Sequence, residues 1–314
     1  MKKNSQLFDS ARVSLALDFD LDQRHHTDEV THSMQLISLS GAQEKCPAVV
    51  DGGKIRLARD GERATHILKP APWDTSLNES WQIPANEYLT MQIASQVYGI
   101  STAAHGLCST PSGHSVYITR RFDLRPDGTK YPMEDMATLI GRSEASEGIV
   151  FKYRGSYYDM AMAIRRYTEA WMVELERFFE LVVFNYIFAN GDAHLKNFSI
   201  IRYDEGYRLS PAYDLMNTAL HVRDEDFALS AGLSSSLPKS EAYLRTGHPC
   251  RQDFEAFGKE IGLVELRLRR ILDKYSVLPD EVVRKIEDSQ LSEKLRRSYV
   301  RIVNERISRF VRKG

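Results

Sequence analysis

Asn190-GDAHLKNFSIIRYDEGYRLSPAYDL-Met216 reads as a loop, a hairpin and a second loop. Upstream, Leu175, Phe178, Phe179, Val182 and Tyr186 form an apolar helical pattern from about Trp171 to Ala189. Asn190-Gly191 is a suitable stop for that helix. Asp192, His194, Lys196 and Asn197 stand in the loop that follows. Phe198–Tyr203 and Tyr207–Leu209 read as two short strands around the turn Asp204-Glu205-Gly206. A hairpin starts and ends on the same side, so Asp214 is expected to return to the neighbourhood of Asp192 and Asn197. Two carboxylates and an amide gathered at one point are costly unless a cation neutralises them. Mg²⁺ accepts such hard oxygen donors, together with substrate phosphates.

The spacing matches that of phosphoryl transfer, in which Asp-x4-Asn forms a catalytic loop and a second Asp follows the next hairpin. Asp192 is then the base for an attacking hydroxyl, and Asn197 and Asp214 are the metal ligands. His194 and Lys196 are read as further ATP contacts. A kinase also needs a phosphate cradle and a lysine. Ser38-Leu39-Ser40-Gly41-Ala42-Gln43-Glu44-Lys45 supplies a candidate cradle, because small residues at Ser40, Gly41 and Ala42 let backbone N–H groups approach phosphate. Gln43 and Lys45 complete it. Lys69 ends a short apolar strand, and Glu87 lies in the first turn of the next helix, an order suited to a lysine–glutamate pair that orients nucleotide phosphates.

Outward from this stretch, Cys46–Val50 and Lys54–Ala58 read as strands about Asp51-Gly52-Gly53. Thr65–Leu68 and Ser115–Thr119 are further strands. Pro84 opens a helix with Ala85, Leu89, Ile93 and Val97 on one face and Gly99 at its end. Pro126-Asp127-Gly128 marks a turn. After about residue 130 the chain is mostly helical, with two or three arginine-rich amphipathic helices at the C-terminal end. The fold class expected is α+β: a two-lobed protein-kinase-like fold with a small β-rich N-lobe and a larger all-helical C-lobe. Its divisions are a polar segment at 1–34, the N-lobe at 35–121 and the C-lobe at 122–314.

The 314 residues are 42% hydrophobic and 27% charged, with a net charge of −1. This is the composition of a globular chain with no general demand for a polyanionic partner. Cys46, Cys108 and Cys250 are odd in number, scattered and without CxxC spacing, which argues against a disulfide framework or zinc knuckle. His25, His26 and His32 lack matching ligands and read as part of a solvated segment. No secretory signal or membrane-spanning run is legible, and the expected location is the cytoplasm.

The succession SGAQEK, THILKP, PANEY, RRFD, PMEDM, NGDAHLKN and SPAYDLM resembles the HipA-like toxin kinases, strongly over about residues 36–220. The resemblance implies a Ser/Thr protein kinase that uses ATP and Mg²⁺, phosphorylates an aminoacyl-tRNA synthetase and is held by a HipB-like helix-turn-helix antitoxin. Contact with DNA would then be indirect, through the antitoxin. It implies Asp192 as base, Asn197 and Asp214 as metal ligands, Lys69 on the phosphates, and Phe122 and Asp123 at the adenine and ribose edge. It also implies autophosphorylation in the Gly-rich loop, where both Ser38 and Ser40 match. The long members carry a further N-terminal subdomain that the first 35 residues do not supply. The chain is therefore similar to the short HipT-type branch, in which a separate small HipS-like protein takes that subdomain's place. Arg120 stands near the hinge, where long members often have an acidic residue.

Two rival functions share parts of this pattern. A small-molecule or lipid phosphotransferase uses the same catalytic Asp and metal Asp, although the serine-bearing SLSGAQEK loop suits a self-modifying protein kinase better. A non-catalytic corepressor scaffold would use the C-terminal stretch Arg284–Gly314, whose 10 basic and 4 acidic residues give a net +6 that could meet DNA phosphates.

Overall fold

The computed structural model describes residues 6–9, 12–21, 43–72 and 76–312. Ser38, Ser40, Gly41 and Ala42, and with them most of the expected cradle, lie outside the described residues, as do His25, His26 and His32.

The Asp51-Gly52-Gly53 region turns the chain as expected. Both glycines adopt positive φ, which lets β1 (Cys46–Asp51) fold directly back on β2 (Lys54–Leu57) in the register Asp51↔Lys54. The chain continues into β3 (His66–Lys69), and β4 (His105–Ser109) and β5 (Ser115–Arg120) complete an antiparallel sheet of order β2-β1-β3-β5-β4. β4 was not legible in the sequence. It pairs along its whole length with β5, and Gly106 sits so close under Leu7 and Ile118 that a Cβ there would lie 2.9 Å from Leu7 Cδ2. Part of the polar N-terminal segment also packs on this sheet. Leu7, Phe8 and Leu17 are buried with Cys46, Ala48, Leu68, Val116 and Ile118, and Leu17 N donates to Ser109 O at 2.8 Å.

Between β3 and β4 runs α1 (Ile83–Gln96), with Pro near its start where no N–H is needed. Its buried face carries Ala85, Leu89, Met91, Ile93 and Ala94. These residues join one continuous core with Phe178, Val182, Phe188, Tyr275, Tyr299 and Val303 from the rest of the chain.

The second half is helical around one small sheet. β6 (Met133–Asp135) leads into the single turn α2 (Met136–Leu139), and the short α3 (Glu144–Glu147) follows. Next come α4 (Tyr157–Tyr167), opened by a capping box of Ser156 and Asp159, and α5 (Trp171–Ile187), the apolar helix expected from the sequence. The predicted hairpin forms as β7 (Ser199–Tyr203) and β8 (Gly206–Leu209), with Tyr203 opposite Gly206. β6 adds a third strand to it. Five further helices close the fold among the described residues: α6 (Glu241–Thr246), α7 (Arg251–Glu260), α8 (Glu265–Lys274), α9 (Asp280–Glu287) and α10 (Glu293–Phe310).

One local expectation is corrected. The helix before loop 190–197 does not stop on Asn190-Gly191. Its C-cap is Phe188, and Ala189 takes the left-handed conformation at φ 52°. Gly191 is required for a different reason: a Cβ there would stand 2.3 Å from Asp224 Cγ. The three cysteines are free and buried, as small hydrophobes are. Among the described residues no helix is long and apolar enough to cross a membrane.

Candidate functional site

Loop 190–197 and the loop after β8 meet as the hairpin argument requires. Asp192, Asn197 and Asp214 line one pocket together with Gln43, Lys45, Lys69, Asn190, Met216 and Thr218. The loop is held by its own polar groups. Asn197 Nδ2 donates to the Asp192 carbonyl at 2.8 Å, and His194 N donates to the same oxygen at 2.8 Å. Asn190 Nδ2 donates to Asn185 Oδ1 at 2.9 Å. Gly191 N donates to Thr218 Oγ1 at 2.8 Å, which ties the loop to the segment beyond Asp214. Tyr153, from the 3₁₀ turn Phe151–Tyr153, donates its hydroxyl to Asp192 Oδ1 at 2.9 Å.

Asp214 sits at φ 56°, a left-handed conformation that Asp tolerates better than most residues but that still costs energy. Lys69 Nζ bonds both to Asp214 Oδ1 and, at 2.6 Å, to Glu87 Oε1. Lys45 Nζ lies 3.5 Å from Asp214 Oδ2. Burial works against the charged form of Lys69, but Asp214 and Glu87 outweigh it and hold the ammonium above its ordinary range. Burial also raises the Asp214 carboxyl, and Lys69 and Lys45 overcome this to hold it well below the usual carboxylate range. Glu87 is 0% exposed and its Oε2 has no hydrogen-bond partner among the described residues. Burial pushes its carboxyl up, to about 7, against the pull of Lys69. The 2.6 Å contact favours the ionised pair at neutral pH.

The remaining expected residues are placed less uniformly. Gln43 lines the pocket and donates Nε2 to Pro70 O at 3.0 Å. His194 is buried in the loop, with neither ring nitrogen hydrogen-bonded among the described residues. Burial, and then Lys152, depress its pKa to about 3. Lys196 is exposed, with its Nζ 5.9 Å over the Phe151 ring. Phe122 packs on Tyr213 at a ring distance of 5.7 Å. Asp123 is engaged in a two-pronged pair with Arg121, at 3.0 and 2.6 Å. Neither Phe122 nor Asp123 lines the pocket.

Sequence reasoning missed Tyr153, Thr218 and Asp224. Tyr153 lies 39 residues before Asp192, and no spacing rule links such positions. Thr218 and Asp224 support the loop from behind, and Thr218 Oγ1 bonds to Asp224 Oδ2.

The oxygen donors present suit Mg²⁺: Asp192, Asn197 and Asp214, with Asn197 spending its Nδ2 hydrogen on the loop and leaving Oδ1 to ligate. No group of three or more His, Cys, Asp or Glu residues able to hold a metal occurs among the described residues. An ion here would therefore complete its shell with phosphate and water rather than sit in an all-protein cage.

Residues 37–286 match the HipA-like C-terminal domain. The "Putative kinase Y4mE" of Sinorhizobium fredii is 28% identical over 267 residues, which cover 81% of this chain and 58% of that protein. A "Putative kinase" of Haemophilus influenzae is 25% identical over 289 residues, covering 84% of this chain and 81% of that protein. The chain thus spans less than two thirds of Y4mE's length. HipA of Shewanella oneidensis MR-1, solved with HipB and its operator DNA, superposes with a TM-score of 0.67 at 19% identity, covering 91% of this chain and 67% of that chain. The Helicobacter pylori proinflammatory kinase CtkA gives 0.53 at 15% identity, with 84% and 93% covered. These likenesses establish an α+β, kinase-like fold, and with the match over 37–286 the chain belongs to the HipA-like C-terminal domain family.

Proposed function

We propose that the chain is an ATP-dependent Ser/Thr protein kinase acting as the toxin of a toxin–antitoxin pair in the cytoplasm. One observation carries the reading: Asp192, Asn197, Asp214 and Lys69 share one pocket, and Lys69 is already paired with Glu87. Asp192 accepts the proton of the substrate hydroxyl. Lys69, fixed by Glu87, holds nucleotide phosphates. Asn197 and Asp214 hold Mg²⁺, which when bound neutralises the phosphate charge. Lys45 and Gln43 line the pocket and follow the proposed Ser40-Gly41-Ala42 cradle in sequence, and His194 and Lys196 stand within the proposed catalytic loop as further ATP contacts. Phe122 and Asp123 would meet the base and ribose.

The partner is proposed to be a HipB-like helix-turn-helix antitoxin, since the Shewanella HipA of the same fold was solved with HipB and operator DNA. A HipS-like small protein and an aminoacyl-tRNA synthetase substrate belong to the same proposal. The scaffold alternative draws less support from the arginine-rich end. Carboxylates outside that stretch offset part of its net +6: Asp226 pairs with the buried Arg306 and with Arg309, and Glu79 with Lys294.

The test is incubation of the purified chain with Mg²⁺, γ-labelled ATP and whole-cell lysate, beside Asp192→Asn. A labelled protein band that is lost in Asp192→Asn is expected. A labelled small product points to the small-molecule phosphotransferase. Equal labelling by the variant would remove Asp192 as the base, since loss of a general base slows transfer by about 10²–10⁴.

A further inference from the structure

We propose that Tyr153 is a positioning residue for Asp192: its hydroxyl holds the carboxylate so that its plane stays turned toward an incoming acceptor hydroxyl. The inference rests on the phosphotransferase reading above.

The last torsion of an aspartate side chain is broad and sets no firm direction of its own. A base on a loop therefore needs an outside contact to stay aimed. Tyr153 O–H supplies one, donating to Asp192 Oδ1 at 2.9 Å. A hydrogen bond to a carboxylate is about twice as strong as one between neutral groups.

The phenol is itself held firmly. Its ring meets His194 edge to face, with centroids 5.1 Å apart at 76°. Lys152 Nζ lies 5.2 Å over the ring. The backbone is fixed as well: Ser230 N donates to Tyr153 O and Ala231 N to Gly155 O, both at 2.9 Å. Tyr157 N then donates to Gly232 O at 3.0 Å and Tyr158 N to Leu233 O at 2.9 Å. Four backbone bonds thus join the stretch that carries Tyr153 to the segment beyond Asp214. The hydroxyl is fixed with respect to loop 190–197 through His194, and its backbone is fixed on residues 230–233 through this ladder. A phenylalanine fills the same ring space, so Tyr153→Phe removes the aiming bond and keeps the packing.

The experiment follows ADP release from Mg·ATP by the purified full chain, with affinity for the fluorescent analogue mant-ATP and the thermal midpoint measured in parallel. Tyr153→Phe is expected to lower kcat roughly tenfold to a hundredfold, with KM for ATP, mant-ATP affinity and midpoint within twofold or a degree or two of the parent (about the scatter expected of a surface change). In the Asp192→Asn background the same change is expected to do nothing further, because residues acting through one another are non-additive. A kcat equal to the parent's overturns the inference. A higher kcat also overturns it, by showing that the hydroxyl occupies the acceptor's place. A matching fall in mant-ATP affinity, or a further loss in the Asp192→Asn background, reduces Tyr153 to a structural part and overturns it too. If Asp192→Asn itself releases ADP at the parental rate, the catalytic reading fails and takes this inference with it. If Asp192→Asn is inactive and Tyr153→Phe is unchanged, this inference fails alone.

Discussion

Lys69 Nζ donates to Glu87 Oε1 across 2.6 Å, with both side chains almost entirely removed from water. Glu87→Ala leaves that ammonium buried with Asp214 as its remaining named carboxylate partner. Breaking one side of a buried pair typically destabilises by about 3–5 kcal/mol. We expect the lower end, about 3 kcal/mol, by urea denaturation, with ADP release slowed about 10²-fold because Lys69 loses its aim. Unchanged stability and unchanged turnover would show that the pair is dispensable.

Asp214→Asn tests the metal role separately. Asn tolerates the left-handed backbone nearly as well as Asp, so the fold is expected to survive. The negative charge proposed to draw Mg²⁺ is gone. Turnover is expected to fall by about 10²-fold or more, and saturation with Mg²⁺ to require higher concentrations. A titration that superposes on the parent's rules out Asp214 as a ligand.

Acid sensitivity should trace in part to His194. Burial holds its folded pKa at about 3, against an ordinary 6.5. Between those values the unfolded chain takes up a proton that the folded chain refuses, so stability falls as pH drops from about 6.5 toward 3. Burial lowers His66, His105 and His221 in the same direction. His194→Gln should flatten the fall by up to one proton, about 1.4 kcal/mol per pH unit. Denaturation midpoints collected from neutral to mildly acid pH give the slope, and a slope identical to the parent's refutes the assignment.

Gly191→Ala should damage the site although Gly191 has an ordinary backbone. The new methyl would overlap the Asp224 carboxylate. Overpacking of this kind destabilises by about 1–3 kcal/mol, and here it pushes directly on Asp192. Combining it with Asp224→Ala should restore part of the lost turnover. Absence of any recovery would place the damage elsewhere.

Ser38→Ala with Ser40→Ala tests self-modification. A phosphate there adds about −1.5 to −2 charge to a loop proposed to hold the ATP phosphates. The double variant should stay active on prolonged incubation with ATP while the parent declines, and mass spectrometry should find phosphate on Ser38 or Ser40 of the parent. No phosphate and matching time courses would sink the idea.

The position of loop 190–197, the hairpin and the return of Asp214 were readable because turn chemistry and chain reversal are local. Asp204-Glu205-Gly206 announces the reversal, and the reversal places Asp214. Lys69 and Glu87 were readable as a strand lysine and a helix glutamate, although only the folded sheet shows their contact. β4 escaped because Gly106 and Cys108 break any alternation, and its conformation comes from pairing with β5 and from Leu7 above it. The helix stop was misplaced because Ala189, a strong helix former, is driven into a left-handed turn by the loop around it. Tyr153, Thr218 and Asp224 contact loop 190–197 or its supports from distant parts of the chain, and only tertiary packing reveals them.

Helix α1 carries Glu87, yet it is bolted to the larger body of the protein. Thr90 Oγ1 meets Tyr299 OH at 2.8 Å, Asn86 Nδ2 donates to Asn217 O at 2.9 Å, and Lys285 Nζ donates to Gln96 Oε1 at 2.6 Å. An off-state made by swinging this helix outward would have to tear open the main core. A partner of the proposed kinase would therefore be better served by obstructing the pocket or restraining the sheet than by prying Glu87 away.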